Sequence, residues 1–134
     1  MPKMTSEQID ALVAGDDEQL IRTVLAYQQR EYGNLLNGVP EDMQIEMIRN
    51  GIAKARSYGL QRAGNINAFV ALMFEIAPEF DRQPDIQRVL KDATIAPENK
   101  IQALMDRVPA QAWEDAGKHI SSQTWFPELR DQKD

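Results

Sequence analysis

The chain has 134 residues, 43% apolar and 27% charged, with a formal net charge of −6 and a pI near 4.8. That size and balance suit one globular domain with its own hydrophobic core and are unlike those of a disordered chain. The acidity argues against a protein that grips nucleic acid, or an anionic membrane surface, by neutralising phosphates. Cysteine is absent, which excludes disulfides, thiolate zinc sites and a cysteine nucleophile. The first residues hold no apolar run of signal-peptide length and no later run is long enough to span a bilayer, so the expected location is the cytoplasm.

Helical punctuation recurs along the chain and strand alternation is nearly missing. Thr5 and Gln8 form a capping-box pattern that opens a short helix closed by Gly15. Asp16 or Asp17 caps the next, about 18–32, with Leu20, Ile21, Val24, Leu25 and Tyr32 at helical spacing and Gly33 as its stop. After the turn "NLLNGVPED", Pro40, Glu41 and Asp42 suit the first turn of a third helix over about 41–58. Its stripe is Ile45, Ile48, Ile52 and Ala55, and it ends at Gly59. Gly51 lies inside that stripe at a cost of about 1 kcal/mol relative to alanine, which points to a neighbouring helix packed close against it.

A fourth helix capped by Asn65 carries Phe69, Val70, Leu72, Met73, Phe74 and Ile76 and is apolar nearly all round, as a central bundle helix should be. Pro78 stops it and forces Ala77 out of the helical region. Pro84 then starts a fifth helix with Ile86, Val89 and Leu90 inward, so the two prolines make a sharp corner with Phe80 tucked beneath. Thr94 and Pro97 mark a turn before the stripe Ile101, Leu104, Met105 and Val108. Pro109 either ends that helix or begins a seventh bearing Ala112, Trp113 and Ala116. Beyond Gly117 periodicity is lost. The expected fold is all-α: one compact bundle of six or seven short helices over residues 1–117, with a loosely attached C-terminal tail over 118–134.

Groups suited to catalysis are few. His119 is the only histidine, so no histidine pair is available to hold a metal, and no glycine-rich phosphate loop occurs. Glu75, Glu79, Asp81 and Asp85 gather around the corner. Two of them could converge as acid and base, but acids beside prolines also serve as turn formers, and Asp81 is placed to accept from nearby backbone amides. Arg82 beside them favours the ionised form. In the tail, Trp125 and Phe126 fall outside any helical stripe, and with Arg130 they are of the types that dominate binding hot spots. They either cover the bundle or anchor another protein. Tyr27, Tyr32 and Tyr58 sit near helix ends, where a ring packs and a hydroxyl stays wet.

Over residues 50–106 the chain resembles a group of small all-helical bacterial proteins of unknown activity, often encoded beside type VI secretion spike, adaptor and effector genes. The resemblance is carried by Gly51, Ala53, Lys54, Ala55 and Arg56, the Tyr58–Gly59 pair, and the apolar Leu72, Met73 and Phe74. It continues through the Phe80–Asp81 corner with Pro84, and the helix led in by Pro97. Ala77 departs from the pattern, which favours glycine there. The resemblance implies a cytoplasmic partner of a secreted toxin, of its loading adaptor or of a spike component, acting as an immunity protein or an adaptor/chaperone, and brings no catalytic residues with it.

The residues and the resemblance together lead to the expectation of a non-catalytic protein-binding module without cofactor or metal. Its expected partner-facing residues are Lys54 and Arg56 as a basic helix edge, Glu79, Phe80, Asp81 and Arg82 at the corner, and Trp125, Phe126 and Arg130 in the tail. The alternatives are a small carboxylate-dependent enzyme and a structural homo-oligomer formed through the apolar fourth helix.

Overall fold

Seven α-helices joined by short turns make up residues 17–118, the part of the chain that the computed structural model describes. They are α1 (Asp17–Glu31), α2 (Gly33–Leu36), α3 (Glu41–Ser57), α4 (Ala63–Glu75), α5 (Pro84–Leu90), α6 (Lys100–Arg107) and α7 (Ala110–Gly117). Single 3-10 turns, Phe80–Arg82 and Pro97–Asn99, lead into α5 and α6. No strand occurs among the described residues. The expected helix over Thr5–Gly15 and the tail residues His119, Trp125, Phe126 and Arg130 lie outside them.

The long helices α1, α3 and α4 pack on one another, and α5, α6 and α7 close the other side of α4 around the corner. Apolar spacing explains the arrangement. Leu20, Val24 and Leu25 of α1, Ile48, Ile52 and Ala55 of α3, and Ile66, Phe69, Val70 and Met73 of α4 are buried against each other. Gly51 permits the closest approach: a Cβ there would stand 3.1 Å from Cγ2 of Val70. Four rings run through the interior from one layer to the next: Tyr58 to Phe69 at 5.9 Å, Phe69 to Phe80 at 5.0 Å, and Phe80 to Trp113 at 6.3 Å. Phe80 is fully buried, as the corner required.

The chain turns where glycine and proline allow it. Gly59, at φ +88°, ends α3 in a Schellman arrangement: its N–H donates to the Arg56 carbonyl (2.9 Å), and the Leu60 N–H donates to the Ala55 carbonyl (3.3 Å). Pro84 occupies the first turn of α5, where Oε1 of Gln83 accepts from the backbone N–H groups of Asp85 (2.7 Å) and Ile86 (3.0 Å). Pro109 does both things expected of it, ending α6 through an extended Val108 and leading into α7.

Three local expectations fail. Asn65 is not a cap: α4 already begins at Ala63, and the Asn65 side chain donates to the Glu98 carbonyl instead (3.2 Å). Gly33 takes no left-handed conformation and opens α2 rather than closing α1. Met105 is half exposed, and the inward positions of α6 are Lys100, Ala103 and Leu104. A stripe of apolar residues seen in sequence cannot show that a lysine has claimed the inward face.

Candidate functional site

The corner between α4 and α5 is held by α3 through charge. Lys54 and Tyr58 are one helical turn apart on α3, so both side chains reach the same place. Asp81 lies there, 2% exposed. Its Oδ2 accepts a hydrogen bond from the Tyr58 hydroxyl at 2.5 Å, the short distance of a hydroxyl bound to a charged acceptor. Its Oδ1 lies 2.6 Å from the Lys54 ammonium. That oxygen accepts no hydrogen bond of good geometry, so its compensation is the adjacent positive charge. Lys54 also donates to the Pro78 carbonyl at 3.1 Å, and α3 therefore grips the corner at Pro78 and again at Asp81.

Burial sets the protonation behaviour of this cluster. Desolvation pushes the Lys54 ammonium below the ordinary lysine value, with Asp81 pulling in the opposite direction. Desolvation likewise pushes the Tyr58 phenol well up, and Asp81 beside it adds to the rise. Behind the cluster Lys100 is buried at the start of α6 and donates to the carbonyls of Tyr58 (2.9 Å) and Leu90, which stand at the C-terminal ends of α3 and α5. One ammonium thus serves two helix ends, where the dipole favours positive charge. A second polar contact crosses the core at α1 and α4, where Gln28 donates to Oδ1 of Asn67 at 3.1 Å and leaves its own Oε1 buried without a partner.

On the outer side of the corner is an open groove of about 470 Å³. Glu79, Arg82, Gln83 and Pro84 form one wall, and Asp115, Ala116 and Lys118 of the α7 end form the other. Each wall carries an opposed pair, Glu79 with Arg82 at 3.6 Å and Asp115 with Lys118 at 3.7 Å. Their arginine and lysine are well exposed, whereas Glu79 is mostly covered; the open Asp115–Lys118 pair is worth at most about 1 kcal/mol, so a ligand can rearrange it at little cost.

The four corner carboxylates have separate partners. Glu75 accepts from the Tyr32 hydroxyl (3.4 Å), Glu79 pairs with Arg82, Asp81 with Lys54 and Tyr58, and Asp85 with Arg88 (3.2 Å). No three acidic or histidine side chains among the described residues are placed to share a metal ion. Asp81 is therefore no backbone-capping turn former, and the Tyr58 hydroxyl, expected to be wet, is committed to it. Phe80 and Asp81 are both buried and present nothing to a partner in this fold. Lys54 and Arg56 form no common edge: Lys54 turns inward, and Arg56 points outward to Asp17 at 2.8 Å. Glu79 and Arg82 remain at the groove.

Lys100 and the pairing of Lys54 with Asp81 escape sequence reasoning because the partners are separated by many residues. The available signal was a lysine three residues after Gly51 and four before Tyr58, on the inward side of α3. A lysine in the first turn of α6, against the helix dipole, was the other.

No family model, curated protein or solved structure matches this chain. What the site does must be argued from its own geometry. No helix among the described residues is long and apolar enough to cross a membrane.

Proposed function

We propose that the chain is a non-catalytic protein-binding bundle whose docking face is the groove at the proline corner. The narrower proposal is a cytoplasmic partner of a type VI secretion effector, acting as immunity protein or adaptor. The observation that carries the binding role is the division of labour at the corner. The pairing of Lys54 with the buried Asp81 holds the corner to α3, while the groove beside the corner carries the well-exposed cations Arg82 and Lys118. A surface of that kind gains affinity from being preformed. The resemblance over residues 50–106 supplies the secretion context.

The deciding experiment is co-purification of the chain with the products of its neighbouring genes, followed by co-expression with any toxin among them. Binding at micromolar concentration with rescue of growth supports immunity, and binding without rescue supports an adaptor. In either case Arg82→Glu should weaken the complex about tenfold or more, the loss of roughly 1.4 kcal/mol expected when a groove cation is reversed. Absence of a complex with every neighbouring product sinks the proposal.

A further inference from the structure

Asparagine precedes glycine twice in this chain, at Asn37–Gly38 and at Asn50–Gly51, and the fold treats the two pairs in opposite ways. Asn37 and Gly38 are exposed in the turn between α2 and α3. With Asn37 at φ −61°, ψ 124° and Gly38 at φ +86°, they form the centre of a type II turn. A single hydrogen bond closes it, from the Val39 N–H to the Leu36 carbonyl at 3.0 Å. The Gly38 N–H donates to no described residue, and a Cβ at Gly38 would meet nothing within 4 Å. Asn50 and Gly51 lie in the middle of α3, where the Gly51 N–H belongs to the helix ladder. Val70 and Met73 press on that glycine, their atoms 3.1 and 3.4 Å from where a Cβ would stand. We infer that Asn37 is a site of spontaneous covalent modification, losing its amide to water through a cyclic imide formed with Gly38, and that the helix protects Asn50 from the same reaction.

The reaction needs only hydroxide and water. Hydroxide takes the proton of the Gly38 N–H, and the nitrogen attacks Cγ of Asn37. The N–Cγ bond forms, the Cγ–Nδ2 bond breaks and ammonia leaves. Water then opens the imide ring at one of its two carbonyl carbons. Opening at Cγ leaves an ordinary aspartyl residue, and opening at the main-chain carbon leaves the backbone running through the side chain. Either way one amide and one water become one carboxylate and one ammonia, so the chain adds a negative charge to its formal −6. Glycine permits the attack because it puts no Cβ in the path of approach. Asn37 has to rotate about its Cα–C bond to bring Cγ over the Gly38 nitrogen, which breaks the one hydrogen bond of the turn. The same rotation at Asn50 would break α3 at its centre, on the face that packs against α4. An exposed turn opens at little cost, whereas the centre of a packed helix opens only with much of the fold. The modification is independent of any partner at the groove.

The test ages the full chain at mildly alkaline pH, then digests it with trypsin under mildly acidic conditions that stop the reaction. Cleavage after Arg30, Arg49 and Lys54 puts Asn37 in the peptide 31–49 and Asn50 in the peptide 50–54, so mass spectrometry reads the two sites separately. In the folded chain, conversion at Asn37 should exceed that at Asn50 at least about tenfold, because the two sites differ in the cost of local opening. In urea the two should convert at similar rates, which assigns the difference to the fold. Asn34, in the same peptide as Asn37 but followed by Leu35, should stay intact. Isoelectric focusing of the aged native chain should show an acidic species that is largely lost in Asn37→Gln, whose longer side chain must close a larger ring. Equal conversion of Asn37 and Asn50 in the folded chain overturns the inference, and so does an Asn37 that stays intact there, whatever it does in urea. Acidic species formed by Asn37→Gln as fast as by the native chain also overturn it, since another amide would then be their source.

Discussion

Asp81 is the residue on which the corner turns, and its two donors are unequal. Removing the charged one by Lys54→Met leaves a carboxylate that is almost wholly buried without its cation, which should destabilise the fold by about 3 kcal/mol. Tyr58→Phe removes only a neutral donor and should cost about 1–2 kcal/mol. The double variant Lys54→Met, Asp81→Leu should recover much of the loss, because it removes the stranded charge along with its partner. Urea midpoints of the three variants decide this, and a double variant no more stable than Lys54→Met alone would refute it. The same residues make stability depend on alkaline pH. The folded Lys54 gives up its proton below the ordinary value of 10.5, so the unfolded chain binds more protons in that window and stability rises with pH through it. Tyr32, pushed up to about 12 by burial and by Glu75, and Tyr58, pushed higher, retain protons that the unfolded chain loses from pH 10, so above that value stability falls. Urea midpoints measured across this range should therefore rise and then drop, with the rise missing in Lys54→Met.

At the scale of elements, the helices meet through glycine and turn through glycine and proline. Gly51→Ala gains about 1 kcal/mol of helix propensity but drives a Cβ to 3.1 Å from Val70, a buried β-branched side chain with little room to yield. Overpacking of about 1–3 kcal/mol should outweigh the gain, so thermal unfolding of Gly51→Ala should come earlier than in the native chain. A later transition would show that α3 and α4 can move apart cheaply. Gly59→Ala should cost about 1–2 kcal/mol for its left-handed backbone even though the space around it is ordinary. These features were legible in the sequence, because an interior glycine, a terminal glycine and a helix-starting proline each act over a few residues. The order and inward faces of α3, α4 and α5 were legible for the same reason. The start of α4 was not, since a capping residue such as Asn65 competes with whatever else its amide can reach, here a carbonyl thirty-three residues away. The Lys54–Asp81–Tyr58 cluster was hidden more deeply. Its acid and its base each looked like surface residues, and only the approach of α3 to the corner gives them to one another.

Across the whole molecule, the apolar surface that made α4 a candidate for self-association is used inside the chain. Ile66, Phe69, Val70 and Met73 are buried by the neighbouring helices, and Phe74 is partly covered by the ring of Tyr32 at 5.8 Å. Light scattering at high concentration should accordingly give the monomer mass of 15.2 kDa, and a multiple of it would mean that another face associates. The two inward lysines have a practical bearing on how a ligand should be sought. Of the four amine side chains from Asp17 to Lys118, that at position 100 is buried and that at position 54 is mostly covered and paired with Asp81, which leaves Lys91 and Lys118 the more open to coupling chemistry. Bait fixed to a resin through the second of these would be anchored by the lip of its own cleft, with the opening pressed to the bead. A chain that lacks thiols offers a cleaner handle: one cysteine introduced at the outward-facing Glu46 would orient every molecule with its opening free.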